Sequence, residues 1–310
     1  MFARRLLLNR GPRATPARRR GGLWRAIRGN RKATVGLTLF LFFCLLAAFP
    51  QLFAPGVHDP QAISATPLLH PSAKHWLGTT GLGQDVYAQL IYSTRASLIV
   101  ALVVGLGATI LSVIIGVSAA YLGGMADEGL SLLTDVFLVL PAFPLIIVLA
   151  TYAGKGSLLV IVVVLIATGW SYGARQMRAQ ALSLRNREFL ESARVRGERR
   201  SYVIVVEVLP TMASLILANF LGAALFAVLT AAGLQFLGLG DPNSLSWGSM
   251  LYWAQNENAL LSGFPVWALA PGFAVALLGA SFALLNYAFD EISNPALRPV
   301  RRLRVKHAHS

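Results

Sequence analysis

Six stretches of the chain run without a charged residue. They cover residues 33–57, 96–126, 136–154, 156–174, 208–240 and 258–289, with lengths of 25, 31, 19, 19, 33 and 32. A helix crossing the hydrocarbon core of a bilayer needs about 20 largely apolar residues. Two spans joined by a turn need more than about 40, so even the longest run holds only one. The pattern predicts six spans, over residues 34–53, 98–121, 132–152, 157–170, 212–232 and 265–289. The expected fold class is all-α, a polytopic membrane protein. The first run is expected to be a retained helix. It is long for the apolar region of a signal peptide, and no small-residue cleavage site follows Phe53.

Composition agrees. Of the 310 residues, 55% are hydrophobic and 13% charged, about half the charged share of a soluble domain. The mean hydropathy is +0.61. These values exclude disorder, which needs low hydrophobicity and high net charge. They also leave too few polar residues to coat a soluble globule.

The net charge of +14 raises the question of nucleic acid. Its distribution answers no. Of 27 Lys and Arg, eleven lie in residues 1–32, eight in 175–200 and five after residue 297. Six spans put these blocks on one side, which the positive-inside rule makes cytoplasmic. The expected organisation is a basic amino-terminal segment (1–32) containing an amphipathic lead-in over 23–32, a membrane domain (33–297) and a cytoplasmic tail (298–310). Residues 175–206 form a cytoplasmic loop, and residues 54–94 and 233–264 face outward. Trp76, Trp247, Trp253 and Trp267 lie in or beside the outward loops, as interface anchors do. Membrane lipid is thus a partner and nucleic acid is not. Cys44 reads as a small hydrophobe, and no histidine sits in an HExxH motif.

Within the cytoplasmic loop, Glu188 to Arg196 contains good helix formers and no breaker. Gly197 can end that helix in a left-handed conformation. A second short helix is expected to restart near Glu198 and enter the membrane around Pro210. Ser192 and Ala193 are small and would let another surface approach. Composition alone favours a solvated basic loop, but the spacing adds something. Glu191-Ser192-Ala193, three residues, Gly197, then Leu209-Pro210 resembles the EAA loop of ABC importer permeases. Ser192 stands for the family's first alanine and Glu207 for its isoleucine.

The likeness extends from about residue 23 to 299. Leu23-Trp24-Arg25, Asn30-Arg31 and Leu52-Phe53-Ala54-Pro55 fit the amino-terminal part of the pattern. So do His75-Trp76-Leu77-Gly78-Thr79, Gly83-Gln84-Asp85-Val86, Tyr92-Ser93-Thr94-Arg95-Ala96-Ser97-Leu98 and Gly123-Gly124. Asp135-Val136, Phe236-Leu237-Gly238-Leu239-Gly240 and Ser246-Trp247-Gly248 complete it. Thr80 and Gln84 replace the usual Asp and Arg. The chain resembles the oligopeptide/dipeptide/nickel permease group, C-type subunit. That resemblance implies a type I ABC importer permease fold and half of a translocation pathway for short peptides, with nickel or another small solute as the alternative. It implies a homologous second permease, cytoplasmic ABC ATPase subunits or domains, and an extracytoplasmic substrate-binding protein. It also implies docking of the ATPase on Glu191, Ser192, Ala193, Gly197, Leu209 and Pro210. The location would be a bacterial-type inner membrane with both termini cytoplasmic.

No engine is expected in this chain. Gly154-Lys155-Gly156-Ser157 lacks the spacing of a phosphate loop and reads as a turn. ATP and magnesium therefore belong to the partner ATPase, with no cofactor and no catalytic residue here. Gly238-Leu239-Gly240-Asp241 spells GxGD, a motif of intramembrane aspartyl proteases. Such chemistry needs two facing carboxylates, whereas Asp135 and Asp290 are expected about 30 Å away across the membrane. An ion-coupled transporter usually carries ionisable groups at mid-membrane, and the six runs have none.

Overall fold

A computed structural model describes residues 30–152, 158–185 and 187–293. The expectations for residues 1–29, the 154–157 turn and the tail lie outside them. Ten helices position the site: α1 (Arg31–Ala48), α2 (Val86–Leu122), α3 (Gly124–Val139), α4 (Ala142–Tyr152) and α5 (Leu158–Gly169). They continue with α6 (Ser171–Arg185), α7 (Glu188–Val195), α8 (Ala213–Phe236), α9 (Trp247–Asn256) and α10 (Pro265–Ser293). Short helical turns fill some of the gaps. No strand occurs among the described residues.

Among the described residues, five helical units are long and apolar enough to cross a membrane: α1, α2, α5 with α6, α8 and α10. The third predicted span, over residues 132–152, is not one straight helix. The axes of α3 and α4 meet at 90°. Pro141 causes the break. Its ring disfavours the helical region for the preceding residue, and Leu140 is extended at φ −64°, ψ 134°. Pro144 falls in the first turn of α4, where a missing N–H costs nothing.

Two other boundaries move. Helix α2 begins at Val86, twelve residues before the expected start at 98, and spans 37 residues. At 1.5 Å per residue it is about 55 Å long, well beyond a bilayer core. Asp85 caps it, accepting from the Ala88 N–H at 2.9 Å. Arg95 is exposed within it, so a charge marks the edge of the apolar region and not the end of the helix. Likewise residues 175–185, expected in a loop, continue α5 as α6.

Helix α2 is central, packed against α1, α6 and α8. Small residues set the crossings, as is common between membrane helices. A Cβ on Gly105 would meet Ala224 of α8 at 3.0 Å. One on Gly116 would collide with the Ala174 carbonyl of α6.

The two segments expected to face outward form one cap. The Gln61 side chain donates to the Asn243 carbonyl at 2.8 Å. His75 Nδ1 lies 2.6 Å from Asp85 Oδ2, which ties the cap to the start of α2. Thr80 and Gln84, the departures from the family pattern, bond each other: Gln84 N–H donates to Thr80 Oγ1 at 3.2 Å and Thr80 N–H to the Gln84 carbonyl at 2.9 Å. The Gln84 side chain turns elsewhere, donating to the Gln61 carbonyl at 2.7 Å and accepting from Gln89 Nε2 at 2.6 Å. The tryptophans are not uniformly anchors. Trp247 and Trp267 are buried, and Trp247 donates to the Leu90 carbonyl at 3.1 Å and packs edge-on against Phe43.

Candidate functional site

At the end of the molecule opposite the cap, α7 packs against the helical turn over residues 203–208 and shares an apolar cluster with the ends of α2 and α6. Its amphipathic pattern is short and clear. Leu190 and Ala193, three residues apart on one face, are completely buried. They join Val117, Ala120, Met177, Leu184, Val203 and Val208 in one apolar cluster. The other face shows Glu188, Glu191, Ser192 and Val195 to solvent. The predicted interaction surface is therefore divided: Glu191 and Ser192 face outward, whereas Ala193 is spent on packing α7 onto its own chain.

Gly197 ends α7 with φ +76°. The Glu198 N–H reaches the Ala193 carbonyl at 3.2 Å, the six-residue closure of a Schellman end. Nothing lies within 4 Å of where a Cβ on Gly197 would sit. Glycine is favoured there by backbone conformation and not by crowding. The chain resumes at Arg200–Tyr202, widens into a π-helical turn over Val203–Val208 and passes through Leu209–Thr211 into α8. Leu209 is half-buried against the cluster beneath α7, and Pro210 is exposed. Pro210 has no N–H to continue an ordinary ladder, and the π-turn just before it carries a Leu209 N–H to Ile204 bond.

Two ion pairs fasten α3 to α6 at the same end. Arg178 grips Asp127 with both arms, Nε to Oδ1 at 2.6 Å and Nη2 to Oδ2 at 2.8 Å. Arg175 meets Asp135 at 2.6 Å with both side chains more than half exposed. These arginines were legible only as a topology signal.

A cavity of about 530 Å³ lies between the α3–α4 bend, the start of α6, the middle of α8 and α10. Among the described residues, no charged one lines it. Gln176, Asn219 and Asn286 supply its carboxamides, with Phe137 and Phe226 among the apolar walls. Asn219 donates to Thr109 Oγ1 of α2 at 3.1 Å. It nestles where a side chain on Gly173 would collide with its Oδ1 and with Ser112 Oγ. These amides carry no charge, but Asn219 and Asn286 interrupt apolar stretches of the sequence.

The carboxylates of the GxGD alternative are engaged separately. Asp241 closes its own turn, accepting from the Asn243 N–H at 2.9 Å, while Asp135 holds Arg175.

Residues 112–299 match the binding-protein-dependent transport system inner membrane component family. The chain belongs to that family. Relatives of this permease match along most of their length. It is 32% identical over 276 residues to "Oligopeptide transport system permease protein OppC" of Mycobacterium tuberculosis (strain ATCC 25618 / H37Rv), covering 88% of this chain and 93% of the relative. It is 31% identical over 278 residues to "Dipeptide transport system permease protein DppC" of Bacillus subtilis (strain 168), covering 89% and 85%. A "Putative peptide permease protein" of Brucella suis biovar 1 is 34% identical over 252 residues, covering 80% and 82%. The permease is a multi-pass membrane protein and a transport subunit.

Proposed function

We propose that this permease is the C-type subunit of an ATP-driven importer of short peptides. The observation that carries the reading is the likeness to peptide-transport permeases over more than four-fifths of the chain. A homologous second permease completes the pathway, and an extracytoplasmic binding protein delivers the peptide to the outward cap. ATP and magnesium act on the partner ATPase, and this chain needs no cofactor. The ATPase seats against the exposed Glu188, Glu191, Ser192 and Val195 face of α7, with Gly197, Leu209 and Pro210 shaping the helix and its exit. Ala193 acts beneath, by holding α7 down. The termini and α7 face the cytoplasm of a bacterial-type inner membrane.

The mechanics follow from packing. Leu190 and Ala193 bury α7 in an apolar cluster shared with the 203–208 turn and the ends of α2 and α6, so displacement of α7 by a closing ATPase is passed on through that cluster to the membrane helices. An effector shifts a conformational equilibrium only through contacts that differ between the two states, and an exposed face on a bolted helix offers such contacts. The test is uptake of labelled peptide by proteoliposomes holding the full complex. ATP-dependent accumulation that disappears when this chain is left out is the expected result. Accumulation driven by an ion gradient without ATP overturns it.

A further inference from the structure

We propose that Gln176, Asn219 and Asn286 bind the main chain of a peptide in transit, without reading its side chains or charged ends. The inference rests on the peptide-importer reading. Its observation is the composition of the 530 Å³ cavity. A free peptide carries an ammonium and a carboxylate, yet none of the described residues lining the cavity is charged. A fixed opposite charge at membrane depth would trap one end of the substrate, whereas passage requires binding weak enough to leave. What the cavity offers is carboxamide. Each such group presents two donors and one acceptor oxygen, the complement of the one N–H and one C=O of a peptide unit.

The three amides come from three helices, α6, α8 and α10, so they surround a solute and do not form one stripe. Asn286 adds a second observation: its Oδ1 is buried with no hydrogen-bond partner. Buried polar atoms are nearly always paired, and the terminal torsion of Asn is soft. A modest rotation turns this acceptor toward a peptide N–H. Asn219, by contrast, is tied to Thr109 through its own N–H. Phe137, Leu215 and Phe226 give side chains an unspecific apolar wall.

The experiment uses the full reconstituted complex with saturating binding protein. It compares ATP-driven uptake of trialanine with that of trialanine N-methylated at both peptide bonds. Asn286→Leu and Gln176→Leu are the variants; Asn286→Leu removes an unpaired polar atom and keeps the branched shape, so assembly should be normal. The expected result is that trialanine uptake falls roughly three- to tenfold per variant, the value of one hydrogen bond. Uptake of the methylated peptide should be unchanged by Asn286→Leu, because methylation has already removed the N–H that the Asn286 oxygen would accept. Equal losses for both peptides in Asn286→Leu, or no loss for trialanine, overturn the assignment while leaving the importer intact. Failure of the wild-type complex to import trialanine removes the peptide reading and this assignment with it.

Discussion

Replacing Gly197 tests the end of α7 with little ambiguity. The residue sits at φ +76°, and an added Cβ meets nothing within 4 Å. Any penalty is therefore conformational. A left-handed position costs an ordinary residue about 1–2 kcal/mol. Asn tolerates that region better, and a β-branched residue is worse. The expected order of stability at this end is Gly, then Asn, then Ala, then Val. The reporter is the Glu198 amide, bonded to the Ala193 carbonyl, followed by hydrogen–deuterium exchange in the purified permease. A loss of about 1–2 kcal/mol raises the open population about 5- to 30-fold, so the Ala variant should exchange faster by that factor. Gly197→Asn should change it least. Membrane insertion should be unaffected, because no spanning helix is touched, and transport by the complex should decline in the same order. Equal exchange in the Asn and Val variants would refute the reasoning, since crowding or irrelevance would then replace conformation as the explanation.

Three further outcomes are expected. In a Cys44-free background, cysteine at Ala179 should be labelled only from the cytoplasmic side and cysteine at Ser262 only from outside; the reverse pattern inverts the orientation. A double-mutant cycle on thermal unfolding should give Arg178 and Asp127, a half-buried bidentate pair, a coupling of about 1 kcal/mol, and the exposed Arg175–Asp135 pair a value near zero. Equal couplings would contradict the geometry. Gly116→Leu should sharply reduce recovery of folded permease, because the new side chain collides with the Ala174 carbonyl; wild-type yield would show that the two helices do not cross there.

Much of the architecture was legible in the chain because the bilayer makes charge costly. The six uncharged runs overlap the five straight candidate spans and the bent α3–α4 pair, and Glu188, Gly197 and the spacing to Leu209-Pro210 located α7 and its exit. The errors share a physical cause. Charges mark where lipid ends, not where a helix ends, so α2 was shortened at Arg95 and α6 was read as loop. Proline marks a break without giving its angle, so the bend at Leu140–Pro141 was visible only in three dimensions. Burial was also hidden. Ala193 looks like part of a docking face, yet whether a small residue points to a partner or to its own core depends on the rotational setting of α7. The carboxamides of the cavity carry no charge and follow no spacing rule, and three distant segments must fold together before they share a wall.

The most direct test of the coupling claim is photo-crosslinking from α7 within the assembled complex. A benzophenone maleimide is attached to cysteine at Ser192, exposed, or at Ala193, fully buried, in a Cys44-free permease. The account predicts that the Ser192 probe crosslinks to the ATPase and that Ala193 resists labelling in the folded chain. Crosslinks that miss the ATPase from Ser192, or that reach it from Ala193 instead, would contradict it.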